Sequence, residues 1–264
     1  MFQIFQSQRA TAYSEFGCPG PSPADYLREF IPADELWPAR PGTSWETHHA
    51  FNVWSSDPNY WINARAIEHY FGPSATLEEF TARGAWLQSE GYKSTFEEAR
   101  RQAPRCAMAL NWCFNEPWPT AANNSLVNFP ARPKPAYFAV QAACRPILAS
   151  ARIPKFQWST GELFSAELWL LNDSPEAAPS GEMVATLECD GIVQELLRWK
   201  LPVGAPGKNL SGPVVRVALP AVARSGELTL RLAITGQPAL ASSYRLSLRD
   251  GENRIAAGSR ALNT

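Results

Sequence analysis

From residue 150 onward, apolar side chains fall at every second position, and that alternation limits the segment to strands with one face buried. Phe164, Ala166, Leu168 and Leu170 alternate with Ser165, Glu167 and Trp169. Met183, Ala185, Leu187 and Cys189 alternate with Val184, Thr186 and Glu188. Leu228, Leu230, Leu232 and Ile234 follow the same rule, as do Tyr244, Leu246 and Leu248. Asp190-Gly191 and Asp250-Gly251 are suited to two-residue hairpin turns between such runs. Short alternating strands joined by turns predict an antiparallel β-sandwich of immunoglobulin-like type over residues 150–264.

Residues 1–149 have another character. Ser22-Pro-Ala-Asp25 reads as an N-cap with proline at the first helical position, opening a short helix through Phe30. Pro32, Pro38 and Pro41 then impose an irregular loop. Asn59 to Phe71 reads as a helix that Gly72-Pro73 stops. Thr76-Leu-Glu-Glu79 is a capping box for a helix to about Arg101, with Leu77, Phe80 and Leu87 inward and Gly91 a place to bend. Arg105 to Phe114 is an apolar run of strand length, which suits a strand buried on both faces. Pro133-Lys-Pro-Ala-Tyr137 leads into a helix ending near Ala143. The order strand, helices, strand, helix calls for parallel neighbours, and two such strands alone leave apolar surface open.

Composition removes several functions. Hydrophobic residues make up 45% of the chain and charged ones 19%, with a net charge of -1 and no basic run, so a nucleic-acid partner is not expected. No apolar stretch approaches the roughly 20 residues that span a bilayer. The start lacks the charged segment and long apolar core of a signal peptide, which says little about location if the native N-terminus lies upstream; a cytoplasmic setting is expected slightly ahead of a periplasmic one. Cys18, Cys106, Cys113, Cys144 and Cys189 show no paired spacing, so they read as buried or half-buried thiols rather than zinc ligands or disulfides. No metal-ligand spacing, phosphate loop or Gly-x-Ser-x-Gly elbow is present, and no cofactor is expected. Ten Trp, nearly all before residue 170, suit packing and also stacking on sugar rings.

Three segments carry a resemblance. Ser14-Glu-Phe-Gly17 after Thr11-Ala-Tyr13 is similar to the strand-seven motif of family 2 glycoside hydrolases. Trp112-Cys-Phe-Asn-Glu-Pro-Trp-Pro119 resembles the end of barrel strand eight in that family, and Arg132-Pro-Lys-Pro-Ala-Tyr137 the approach to its last helix. Phe30-Ile-Pro-Ala-Asp-Glu-Leu-Trp37 and Trp45-Glu-Thr-His-His49 resemble β-mannosidase-like members. The matches spread over about the first 150 residues in the family's order.

The resemblance implies the C-terminal part of a (β/α)8 TIM barrel, strands seven and eight with their helices, over residues 1–149. The sandwich that follows stands where the family carries one. It also implies a retaining, exo-acting β-glycosidase acting on a β-linked carbohydrate, with Glu15 as nucleophile. The plain alternative is a strand-end Glu paired with an Arg. Such enzymes use two carboxyl groups about 5–5.5 Å apart, and the acid/base of the family lies on strand four, which this sequence lacks. Asn115-Glu116 comes after the nucleophile, so Glu116 is expected to line the site or hold a loop. Cys113 stands where many relatives have Gln, which weakens a precise sugar assignment. Trp112 could stack on a sugar or fill a core; Trp118, between prolines, leans to structure. Asn115, His48 and His49 complete the candidate substrate-facing set, the histidines because the loop after strand seven could reach the site. The implied partners besides substrate are missing N-terminal domains or a complementing chain, and a non-catalytic carbohydrate-binding module is the remaining alternative.

Overall fold

The computed structural model describes residues 2–53, 57–222 and 224–250. The chain divides into two compact units, Ser7–Cys144 and Arg145–Thr264 together with Phe2–Gln6. It opens on a short helix α1 (Phe2–Ser7).

The first unit runs β1 (Ala12–Phe16), β2 (Gly20–Pro21), α2 (Ala24–Leu27), α3 (Ser44–Thr47), α4 (Ala64–Phe71) and α5 (Leu77–Arg101). It continues through β3 (Met108–Asn111), β4 (Ala122–Asn123), β5 (Val127–Asn128), β6 (Arg132–Pro133) and α6 (Pro135–Ala143). β1 and β3 pair in parallel, Ala12 with Met108 and Tyr13 with Ala109, as the strand–helix–strand order requires. α5 is the long connection between them. Thr76 accepts a hydrogen bond from Glu79 N at 3.2 Å, while the Glu79 carboxylate accepts from Ala75 N at 2.7 Å, so the start is capped from both sides. Arg100 and Arg101 complement the dipole at its end. Leu77 and Phe80 are buried and Leu87 packs partly, against Trp45, Trp61, Ile62 and Ile67.

Several expectations need correction here. The run Arg105 to Phe114 is not buried on both faces: Met108, Leu110, Trp112 and Phe114 are 41%, 50%, 46% and 57% exposed. The sheet has only two strands, and α5 covers one face of it through Phe16 against Phe96 and Tyr92. α4 begins at Ala64, not Asn59, because Asn63 adopts the left-handed conformation (φ 55°) and breaks the helix there. α2 is four residues long, and Ser22 does not cap it; its hydroxyl donates to Thr120 O at 2.8 Å. α5 runs unbroken through Gly91.

The second unit is built of β7 (Ile147–Arg152), β8 (Gln157–Ser159), β9 (Leu163–Asn172), β10 (Gly181–Cys189), β11 (Ile192–Leu201), β12 (Leu210–Ala218), β13 (Gly226–Ile234) and β14 (Ser242–Arg249). One sheet has the order β11-β10-β13-β14-β8, the other β12-β9-β7. The alternation works as read: Phe164, Ala166, Leu168, Leu170, Met183, Ala185, Leu187, Leu228, Leu230, Leu232, Tyr244, Leu246 and Leu248 are all buried. Each fully buried leucine of this kind contributes about 1.5–3 kcal/mol. Asp190 (φ 48°) and Gly191 (φ 76°) make the two-residue turn joining β10 to β11, where positive φ at both positions matches the strand twist. The remaining pairs are antiparallel except that β8 joins β14 in parallel, a pairing that the alternation did not predict. The Asp250-Gly251 turn lies outside the described residues.

Candidate functional site

Parallel pairing brings the C-terminal ends of β1 and β3 side by side. Phe16 O accepts a hydrogen bond from Trp112 N at 2.8 Å, which continues the ladder past the strands. The register shifts between Tyr13 and Phe16, and this irregularity leaves both Ser14 and Glu15 exposed while Tyr13 and Phe16 stay buried. Gly17 follows, and a Cβ there would lie 2.1 Å from the Asn124 side-chain nitrogen. A Cβ at this position would thus displace the Asn124 side chain, whereas the backbone angles of Gly17 ask for no glycine.

The histidines flank this end through aromatic contacts. His48 Nδ1–H donates to Pro119 O at 2.8 Å, and its ring stacks on Trp118 with centroids 5.1 Å apart. His49 Nδ1–H donates to Ala122 O at 3.1 Å and lies 4.7 Å from the Trp61 ring. Trp61 in turn meets Trp112 edge-on at 6.1 Å. Trp112 and Trp118 are both exposed by more than 40%. Each thus presents surface outward while one contact steadies it.

Asn115 is exposed and bridges to Val127. Glu116 is buried, and its carboxylate lies 2.9 Å from the ammonium of Lys134, which is equally buried. Of the two roles open to Glu116, lining a site or holding a loop, this placement fits the second. Burial lowers the affinity of the Lys134 amine for its proton, and Glu116 opposes that shift. Cys18, Cys106 and Cys189 are buried and Cys113 half-buried, whereas Cys144 is exposed, against expectation. Burial, with Glu116 second, pushes the Cys113 thiol above its ordinary value.

Other contributors carried no motif. Gln88 on α5 donates to Cys18 O at 2.7 Å and to Asn123 O at 3.0 Å, and the Tyr92 hydroxyl donates to Asn124 O. Together they tie the exit of β1 to the segment after Trp112. Gln88 and Tyr92 are spaced i, i+4 and so share one helix face, but α5 carries many other polar residues, several of them buried, so the spacing alone did not single them out. Among the described residues no group of three or more His, Cys, Asp or Glu could hold a metal ion.

No family model matches the chain, and no curated protein matches it in sequence. Solved structures do match its fold. The β-D-mannosidase of Dictyoglomus thermophilum is 18% identical with a TM-score of 0.66, over 93% of this chain and 28% of that one. The exo-chitosanase of Amycolatopsis orientalis is 21% identical with a TM-score of 0.67, over 93% of this chain and 29% of that one. A complex of that exo-chitosanase with PNP-β-D-glucosamine aligns equally well. The chain thus has a glycosidase-related fold, and it spans less than a third of the length of these solved chains.

Proposed function

We propose that this chain is the C-terminal part of a retaining, exo-acting β-glycosidase, resembling family 2 glycoside hydrolases of the β-mannosidase kind. In this reading β1 and β3 are strands seven and eight of a TIM barrel, and the second unit is an immunoglobulin-like sandwich. The observation that carries it is the parallel juxtaposition of β1 and β3, which sets Glu15 and Trp112 at the same strand ends. Barrel enzymes collect their chemistry at the C-terminal ends of their strands.

In the chemistry this implies, a Glu15 oxygen bonds to the anomeric carbon as the glycosidic C–O bond breaks. The departing oxygen takes a proton from a carboxylic acid. Water then attacks the same carbon, its proton returning to that carboxylate, and Glu15 is released. Glu116, neutralised by Lys134 and out of solvent, is unsuited to the acid's role, so a strand outside this sequence must supply it. Proton donation is typically worth about 10²–10⁴-fold, and efficient turnover by this chain alone is not expected.

The test is hydrolysis of p-nitrophenyl β-mannoside and β-glucosaminide by this chain and by an upstream-extended form. Activity is expected only in the extended form, where Glu15→Gln should abolish it; retained turnover in that variant would remove the nucleophile assignment. A second reading is favoured by the exposed row Met108, Leu110, Trp112 and Phe114: a separate polypeptide completes the barrel, and mixing the two restores activity. A purely carbohydrate-binding role predicts sugar binding without hydrolysis in either form.

A further inference from the structure

From Ala107 to Pro119, Glu116 is the one buried residue. Trp112, Phe114 and Trp118 each make one ring contact, with Trp61, Tyr137 and His48, yet they and Asn115 stay exposed, so apolar burial alone does not order the backbone that carries them. Segment 112–118 contains no helix or strand. What holds it is a polar hub. The Ser125 hydroxyl donates to Glu116 Oε1, and Lys134 Nζ donates to Ser125 Oγ at 2.8 Å while pairing with the same carboxylate oxygen at 2.9 Å.

Main-chain bonds radiate from that hub. Glu116 N donates to Val127 O at 3.1 Å, and Leu126 N and Val127 N both donate to Phe114 O at 3.0 Å. Lys134 N donates to Leu126 O at 2.9 Å, and the Asn111 side chain donates to Cys113 O at 2.9 Å. Two fully buried charges are costly to maintain, and apolar replacements of equal volume are often as stable. A directional pair, unlike apolar filling, accepts only one arrangement of the backbone segments it joins.

We propose that Lys134 is a positioning residue: by holding Glu116 it anchors segment 112–118 and sets how Trp112, Asn115 and Trp118 are presented. This deepens the glycosidase reading and rests on it, since that reading makes those side chains sugar-facing. Lys134 touches no substrate in this role and acts only through Glu116.

The experiment compares the wild-type chain with Lys134→Met and with the double variant Lys134→Met/Glu116→Leu, which leaves no unpaired buried charge. The readouts are hydrogen exchange at the Glu116, Leu126 and Val127 amides, acrylamide quenching of tryptophan, and the urea midpoint. Lys134→Met should speed exchange at those amides by roughly tenfold or more, with β9 and β10 unchanged. The double variant should recover the urea midpoint while its exchange stays fast and its tryptophan quenching stays raised. A double variant that regains wild-type protection overturns the proposal, because apolar filling then anchors the segment equally well. Unchanged exchange in Lys134→Met overturns it too. If the single variant does not fold, the double variant decides alone. Titration of the upstream-extended form with p-nitrophenyl β-mannoside separates the two levels: the expected exchange pattern in an extended form silent to the sugar supports the anchor and counts against the sugar-facing reading.

Discussion

In β9, Phe164, Ala166, Leu168 and Leu170 alternate with polar neighbours and are buried to within 1% of completely. In and beyond β3, Met108, Leu110, Trp112 and Phe114 belong to a continuous apolar run, which asks for cover at least as strongly, and they stand 41–57% exposed. The surroundings make the difference. β9 lies between β12 and β7, and the second unit has another sheet to meet its apolar face. β3 has β1 alone, with α5 on one side. Alternation states which face of a strand seeks cover, and the rest of the fold decides whether cover is found.

The sharpest break of this comparison is Leu168→Ala. Leu168 is fully buried, so truncation should cost about 2–5 kcal/mol in urea unfolding; a cost near zero would show that the core of the second unit is loosely packed. Gly17→Ala probes the first unit where it is tight, since the added carbon meets the Asn124 side chain. A loss of about 1–3 kcal/mol is expected, and a neutral outcome would mean that Asn124 swings aside freely.

A graded contrast follows from ionisation. Burial raises the Cys18 thiol well above its ordinary 9.0, Tyr26 to about 12, and Tyr92 further above its ordinary 10.0. All three belong to the first unit. Above those ordinary values the unfolded chain releases protons that the folded unit retains, so stability is intact below about pH 9 and falls as pH rises toward the folded values. Proteolysis of partly unfolded protein, read peptide by peptide from about pH 8 to about pH 11, should show Ser7–Cys144 opening before β9 and β10. Simultaneous opening would erase the distinction. The smallest effect belongs to Leu110→Ala, where half-exposure predicts a change within about 0.5 kcal/mol. A larger loss in urea unfolding would reveal that the face of β3 is covered in solution.

Much of this was legible in sequence. Thr76 and Glu79 mark the start of α5, and Asp190-Gly191 marks a hairpin, because caps and tight turns depend on a few adjacent residues. The exposure of β3 was not legible, because an apolar run records a demand for partners and says nothing of their supply. Nor was the burial of Lys134, whose neighbours Pro133 and Pro135 gave no sign of a carboxylate held from Glu116, eighteen positions earlier (134 − 116 = 18). Glu15 and Trp112 are candidates marked by motif alone, while Gln88, Tyr92 and Asn124, which shape the exit of β1, are tied to it by carbonyl bonds and close approach.

The Tyr244 hydroxyl on β14 accepts a hydrogen bond from Ala151 N on β7 at 2.9 Å, linking one sheet of the second unit to the other. Apolar alternation is indifferent to a slip of two residues, since every inward side chain stays inward. The tyrosine is not indifferent: a strand displaced by two would lose this bond to a buried amide of β7. The polar contacts of one tyrosine, to Ala151 N and to Ser150 Oγ, thus act as an index mark between the sheets, separating the native pairing from near-copies that hydrophobicity alone would tolerate.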